Sequence, residues 1–241
     1  MLHATGEEAL PAKIDSWKMF DRIAPSYDLL NRLISFRRDV AWRRRLARHM
    51  PSTKNQRVLD LATGTAEVLI GLSEDCINME SGVGLDMSVN MLRLGKDKVA
   101  ERNLTHKLNM VRGDACSLAL GDDSFDAVTM AFGIRNVPDV GATLREIRRV
   151  LRPGGRALIL EFSLPANRWV RAFYLMYFRH ILPRIGGLIS GDGGAYRYLN
   201  QTVEDFPYGS AFGDLMRESG FREIELYPLT FGVATLYRGD K

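Results

Sequence analysis

A chain of 241 residues with 46% hydrophobic and 26% charged residues has enough apolar material for one large core. The formal charge of +4 is mild, and the two cysteines, Cys76 and Cys116, lack CxxC spacing, which excludes a disulfide framework and a zinc knuckle. No basic stretch followed by an apolar core opens the chain, and no run of roughly 18 uncharged apolar residues occurs, so a reduced, cytoplasmic setting is expected, with the membrane reached only from its surface.

Residues 13–50 read as helical, with interruptions expected at Pro25 and Ser35, and form an N-terminal helical cap over 1–50. From residue 51 onward strands and helices alternate. Strands are expected at 57–62, 81–86, 108–113, 125–132 and 155–162, and helices at 66–74, 88–102 and 139–151. The turn Arg152-Pro153-Gly154-Gly155 precedes the fifth strand. This rhythm implies βαβ units and an α/β fold with a mostly parallel, Rossmann-like sheet. Residues 163–205 break it with an apolar and basic insertion, expected to form a lid or substrate lobe. A helix at 207–220 and strands at 221–228 and 230–239 follow, the last two as an antiparallel pair at the sheet edge.

In such sheets ligands sit beyond the carboxyl ends of the strands. There the first strand gives Asp60, Thr63, Gly64 and Thr65; the second gives Asp86, about 20 residues past the loop, where a carboxylate can accept from ribose hydroxyls. The third gives Gly113, Asp114 and Ala115, and the fourth Phe132-Gly133-Ile134-Arg135-Asn136. A dinucleotide would need GxGxxG, but the loop reads Gly64-Thr65-Ala66-Glu67, and an acid at the helix start opposes a pyrophosphate. S-adenosylmethionine (AdoMet), with no phosphate, fits this loop better. Each acid also has a local reading: Asp60 as a turn cap, Asp86 as the N-cap of the next helix, Asp126 as a turn residue.

Four stretches carry a resemblance. YDLLNRLISFRRDVAW (27–42), FGIRNVPD (132–139), RVLRPGGRALILEFS (149–163) and GAYRYLNQTVEDFP (194–207) are similar, in that order, to segments of the ubiquinone/menaquinone C-methyltransferases. The resemblance runs from about residue 17 to residue 237. It implies a class I AdoMet-dependent methyltransferase with a seven-stranded sheet, acting on a polyprenylated quinol. Together the resemblance and the strand ends make Asp60, Gly64, Thr65, Asp86, Met87, Asp114, Ala115 and Ala131 the cofactor candidates. Tyr27, Asp28 and Tyr196 are substrate candidates. The chain departs from the family at Leu30, Asp39, Ala66, Glu67 and Ala131, the last standing where a serine is frequent.

Methylating a ring carbon calls for aligned reactants and a stabilised phenolate-like charge. Arg135, with Asn136 beside it, is the candidate for that stabilisation, the other reading of Arg135 being a salt bridge that clamps its loop. The four histidines lack ligand spacing, so no metal is expected. RWVRAFYLMYFRHILPRIGGLIS (168–190) mixes large apolar residues with arginines, as does a helix seated at an interface; its partner is expected to be a membrane surface, the protein's own sheet or a second subunit of a homo-oligomer. Arg37, Arg38, Arg43, Arg44, Arg45 and Arg48 form a second basic cluster, and with no aromatic stacking platform or binding module beside it no nucleic acid is expected.

Overall fold

The computed structural model describes residues 12–35, 38–181 and 193–241. Two helices, α1 (Ser16–Ile34) and α2 (Arg38–Ala47), precede β1 (Gln56–Leu61). Then α3 (Glu67–Asp75), β2 (Met79–Asp86), α4 (Val89–Glu101), β3 (Leu108–Arg112), β4 (Phe125–Ala131), α5 (Val140–Val150) and β5 (Leu151–Phe162) alternate. The insertion carries α6 (Arg168–Met176), a π-helical turn over Tyr177–Ile181, and α7 (Gly193–Asp205). The chain ends with α8 (Ser210–Glu218), β6 (Arg222–Leu229) and β7 (Ala234–Asp240).

The seven strands form one sheet in the order β3-β2-β1-β4-β5-β7-β6. All pairs from β3 to β5 are parallel, while β7 runs antiparallel to both β5 and β6 and so stands one place in from the edge. Both faces are covered because side chains alternate across each strand. Leu158 and Leu160 pack toward α2, α3 and α4, whereas Ala157 and Ile159 pack toward α5 and α8. A smaller cluster of Met19, Leu164, Phe178, Tyr198 and Val203 ties α1 to the insertion.

Three local expectations are corrected. Pro25 does not interrupt α1. A proline leaves the carbonyl four residues back without its helical donor, and here the Asn90 side-chain amide donates to the Asp21 carbonyl at 3.2 Å. The turn at 152–155 lies within β5 as a bulge, with Leu151 and Arg156 opposite Phe125 and Ala127 and Gly154 at φ +77°. Asp126 is a strand residue whose carboxylate takes the Arg57 amide at 2.8 Å and Arg152 Nη1 at 2.9 Å. Of the basic cluster, Arg37 lies outside the described residues, and Arg43 turns inward, 3.4 Å from Asp39 and over the Phe132 ring. Asp39 also accepts from the Ser35 hydroxyl at 2.6 Å, so this acid closes the entry to α2.

Candidate functional site

The strand order reverses at β1, between β2 and β4, and a cavity opens beyond the carboxyl ends there. Its floor is bent backbone. Ala62 (φ +48°), Gly64 (+55°) and Phe132 (+58°) all adopt the left-handed conformation, which two of them hold against a Cβ, as does Ala66 (+64°) behind the lining. Gly133 lets the ends of β1 and β4 meet: a Cβ on it would come within 2.6 Å of Ala62 Cβ. From above, Trp17, Phe20 and Tyr27 of α1 close the cavity, Phe20 and Tyr27 meeting edge to face at 6.0 Å.

Asp86 lines this cavity and organises its floor. Its Oδ2 accepts the Gly64 amide at 2.9 Å and its Oδ1 the Ser88 amide at 2.8 Å. Burial pushes its pKa above the ordinary aspartate value, partly offset by the backbone amides. The cap of α4 is Ser88, whose hydroxyl accepts from the Met91 amide, so Asp86 is not the helix cap. Met87, Gly64, Asp114, Ala115 and Ala131 also line the cavity, and Asp114 Oδ1 accepts from the Cys116 amide at 2.8 Å.

Asp60 lies beneath the floor rather than in the cavity wall. Each oxygen accepts a threonine hydroxyl at 2.6 Å, from Thr63 and from Thr129, and burial raises its pKa to about 6. Thr65 is likewise turned away: its hydroxyl donates to Asp28 Oδ1 at 2.8 Å and accepts from Lys98 Nζ at 3.2 Å. Lys98 sits 2.5 Å from both Asp28 and Glu67. Glu67, the acid that departs from the family pattern, thus closes a clasp joining α1, α3 and α4. Asp28 belongs to this clasp and not to the cavity wall, whereas Tyr27 faces the cavity. Tyr196 is on α7, but its side chain lies outside the described residues.

Arg135 is 4% exposed and Glu161 fully buried. Arg135 Nη1 donates to Glu161 Oε1 and to the Phe132 carbonyl, both at 2.7 Å, and its guanidinium lies over the Phe162 ring. The clamping reading is the one realised in these contacts, and Arg135 does not line the cavity. Asn136 does line it, and among the described residues Asn136 Oδ1, Arg135 Nε and the hydroxyls of Tyr174 and Tyr198 are buried without hydrogen-bond partners. Burial pushes the Tyr198 hydroxyl up in pKa, partly offset by the charge of Arg135 and by the Ser16 hydroxyl, which comes near without completing a hydrogen bond. Ser16 lines the cavity and reaches the Asn136 carbonyl at 3.4 Å. The cavity thus has two polar ends: carboxylates over β2 and β3, and Asn136 and Ser16 beyond β4, with Tyr198 behind Ser16 and outside the lining.

Glu161, Lys98, Trp17, Phe20 and Tyr198 are absent from the sequence candidates. The acid inside the apolar strand GRALILEF was the one available signal, since a carboxylate there requires a buried partner.

The sequence matches the ubiE/COQ5 methyltransferase family over residues 11–241. It is 45% identical over 223 residues to the ubiquinone/menaquinone biosynthesis C-methyltransferase UbiE of Geobacter sulfurreducens, covering 92% of this chain and 87% of that one. It is 44% identical to the demethylmenaquinone methyltransferase of Thermus thermophilus, covering 92% and 100%. Among solved structures, a SAM-dependent methyltransferase of Thermotoga maritima superposes with a TM-score of 0.66 at 18% identity, covering 93% of this chain and 99% of that one. The fold is shared with these methyltransferases, and the chain belongs to the ubiE/COQ5 methyltransferase family.

Proposed function

We propose that the protein methylates a ring carbon of a polyprenylated quinol with AdoMet as donor. The observation that carries this is the cavity with two polar ends, carboxylates on one side of β1 and neutral hydrogen-bonding groups on the other, under an aromatic roof. A carboxylate has about four lone-pair sites; Asp86 gives one oxygen to Gly64 and the other to Ser88, which leaves capacity for ribose hydroxyls. Asp114 Oδ2 and the Ala115 amide suit the adenine edge. Bound there, AdoMet supplies an electrophilic methyl carried on a sulfonium.

The chain's own residues supply position and a dry surround. Asn136 and Ser16 hold the quinol oxygens, with Tyr198 behind Ser16, Tyr27 borders the ring, and Trp17 with Phe20 excludes water. In this reading residues 1–50 act as a cap on a methyltransferase domain of 51–241, and 163–205 form its acceptor-side lid. The menaquinone side is common to the names of both relatives, which makes demethylmenaquinol the first acceptor to test. Purified protein incubated with methyl-labelled AdoMet and reduced demethylmenaquinol is expected to place the label on the ring carbon, read by mass spectrometry. Binding of AdoMet with no transfer to any quinol would overturn the proposal.

A further inference from the structure

Four of the exposed large apolar side chains gather at the carboxyl end of the sheet, the end that holds the cavity. On α6, Trp169, Phe173 and Met176 are 69%, 70% and 50% exposed, spaced so that they share one helix face. The opposite face carries Tyr174, which with Phe178 of the following turn packs on Met19, Tyr198 and Val203. The outward ridge is therefore the face that α6 turns away from the core. Phe231, 83% exposed, stands in the turn between β6 and β7.

That turn is fastened to the lead-in of α6. Ser163 Oγ donates to the Gly232 carbonyl at 2.8 Å, the Ser163 amide donates to the Val233 carbonyl at 2.9 Å, and Trp42 Nε1 donates to Thr230 Oγ1 at 2.8 Å. Phe231 itself is held at φ +58°, a strained conformation for an aromatic residue, with its ring in water. An arrangement that spends strain to expose a ring calls for something that covers it.

Charge identifies the occupant. From Ser163 to Gly191 the sequence contains no Asp or Glu. Arg168 is exposed beside the ridge and lies over the Trp169 ring at 5.4 Å, whereas Arg171 sits on the face of Tyr174, where its charge acts on Glu204. Arg179 is paired with Glu204, so the positive charge beside the ridge is that of Arg168. An aromatic-led apolar ridge with an arginine beside it, in a segment without acids, matches the boundary of an anionic bilayer, where rings enter the acyl edge and a guanidinium meets headgroup phosphates. A second copy of the chain would bring the same positive charge to the same face.

We infer that Trp169, Phe173, Met176 and Phe231, with Arg168, dock the protein on an anionic lipid surface with the cavity end toward the bilayer. This rests on the proposed acceptor in one respect only: a polyprenyl tail resides in that bilayer.

The test is sedimentation of the full chain with large vesicles of phosphatidylcholine alone or mixed with phosphatidylglycerol. The wild type is expected to sediment with the mixed vesicles, less so as salt rises, and to stay in solution with phosphatidylcholine alone. Trp169→Ser/Phe173→Ser/Phe231→Ser is expected to weaken vesicle binding roughly a hundredfold, and Arg168→Glu to abolish the preference for the anionic lipid. Both variants should keep wild-type AdoMet affinity and turnover of a soluble acceptor lacking the tail, and lose turnover of vesicle-embedded acceptor. A wild type that stays in solution, a triple variant that sediments unchanged, or a dimer that the triple variant dissociates would each overturn the inference. Failure on the soluble acceptor, with vesicle binding intact, would instead count against the methyl-transfer reading.

Discussion

Arg135 Nη1 and Glu161 Oε1 lie 2.7 Å apart with neither side chain in solvent, so each is the other's charge compensation in the floor of the acceptor side. Removing one member strands the other, at a cost of about 3–5 kcal/mol. Arg135→Ala is expected to unfold at lower denaturant by that amount, and its activity loss then reports folding as well as chemistry. The double variant Arg135→Met/Glu161→Leu separates the two. Recovery of stability together with activity would remove Arg135 from catalysis; recovery of stability without activity would return it there.

Asp86 combines a loop-holding and a ligand-facing position. Asp86→Asn keeps the shape but exchanges one acceptor oxygen for a donor, so one backbone amide loses its partner along with a ribose contact. AdoMet affinity by calorimetry is expected to fall at least about tenfold. An unchanged affinity would remove Asp86 from the ribose site.

Lys98 offsets two carboxylates, Asp28 and Glu67, that would otherwise repel across the α1–α3 contact. The three side chains are between 23% and 28% exposed, so solvent screens part of the attraction. Lys98→Met should loosen α1 and raise the AdoMet Kd about fivefold, a change near 1 kcal/mol. Lys98→Arg should recover most of it. Equal Kd values for wild type and Lys98→Met would show that the clasp does not govern the cavity.

Tyr198→Phe deletes a buried hydroxyl without a partner among the described residues, so thermal stability should hold or rise slightly. If that hydroxyl serves the quinol, KM for the acceptor rises about tenfold while AdoMet affinity stays. An unmoved KM would leave Tyr198 as packing alone.

The pKa of Asp60 is raised from 3.8 to about 6 on folding. Within that window the native state binds more protons than the unfolded one, so this group's contribution is full below 3.8 and is lost as pH rises through about 6. The difference is about 3 kcal/mol. Asp60→Asn has no such titration, so its stability relative to wild type should improve by up to about that amount as pH rises across the window. Parallel urea midpoints for the two proteins at every pH would contradict the assignment.

The strand rhythm, the crevice and the strand-end positions of Asp86, Asp114 and Ala115 were legible because apolar runs and their polar ends are local in sequence. The use of Thr65 was not, and for Arg135 the clamping role was one of two readings while its partner stayed hidden. Thr65 is bonded to a residue 37 positions away, and Arg135 to one 26 positions away, and nothing in either loop announces those partners. Glu67 reads as an anomaly within its loop and as a counter-ion once α4 is folded beside it. Pro25 reads as a helix breaker until an amide from another helix is seen to take the freed carbonyl.

That freed carbonyl makes α1 a beam bolted at two points. At Asp21 it is fixed to Asn90 and Ser88, and at Asp28 to Lys98, so the bolts are about 10 Å apart along α1 and about 12 Å apart along α4. A beam held this way neither slides nor rolls on its support. The overhang before the first bolt carries Trp17 and Phe20 and is held separately, by Ser16 on the Asn136 carbonyl and by Met19 in the cluster of the insertion. The roof of the cavity thus leans on α4 at one end and on the insertion at the other.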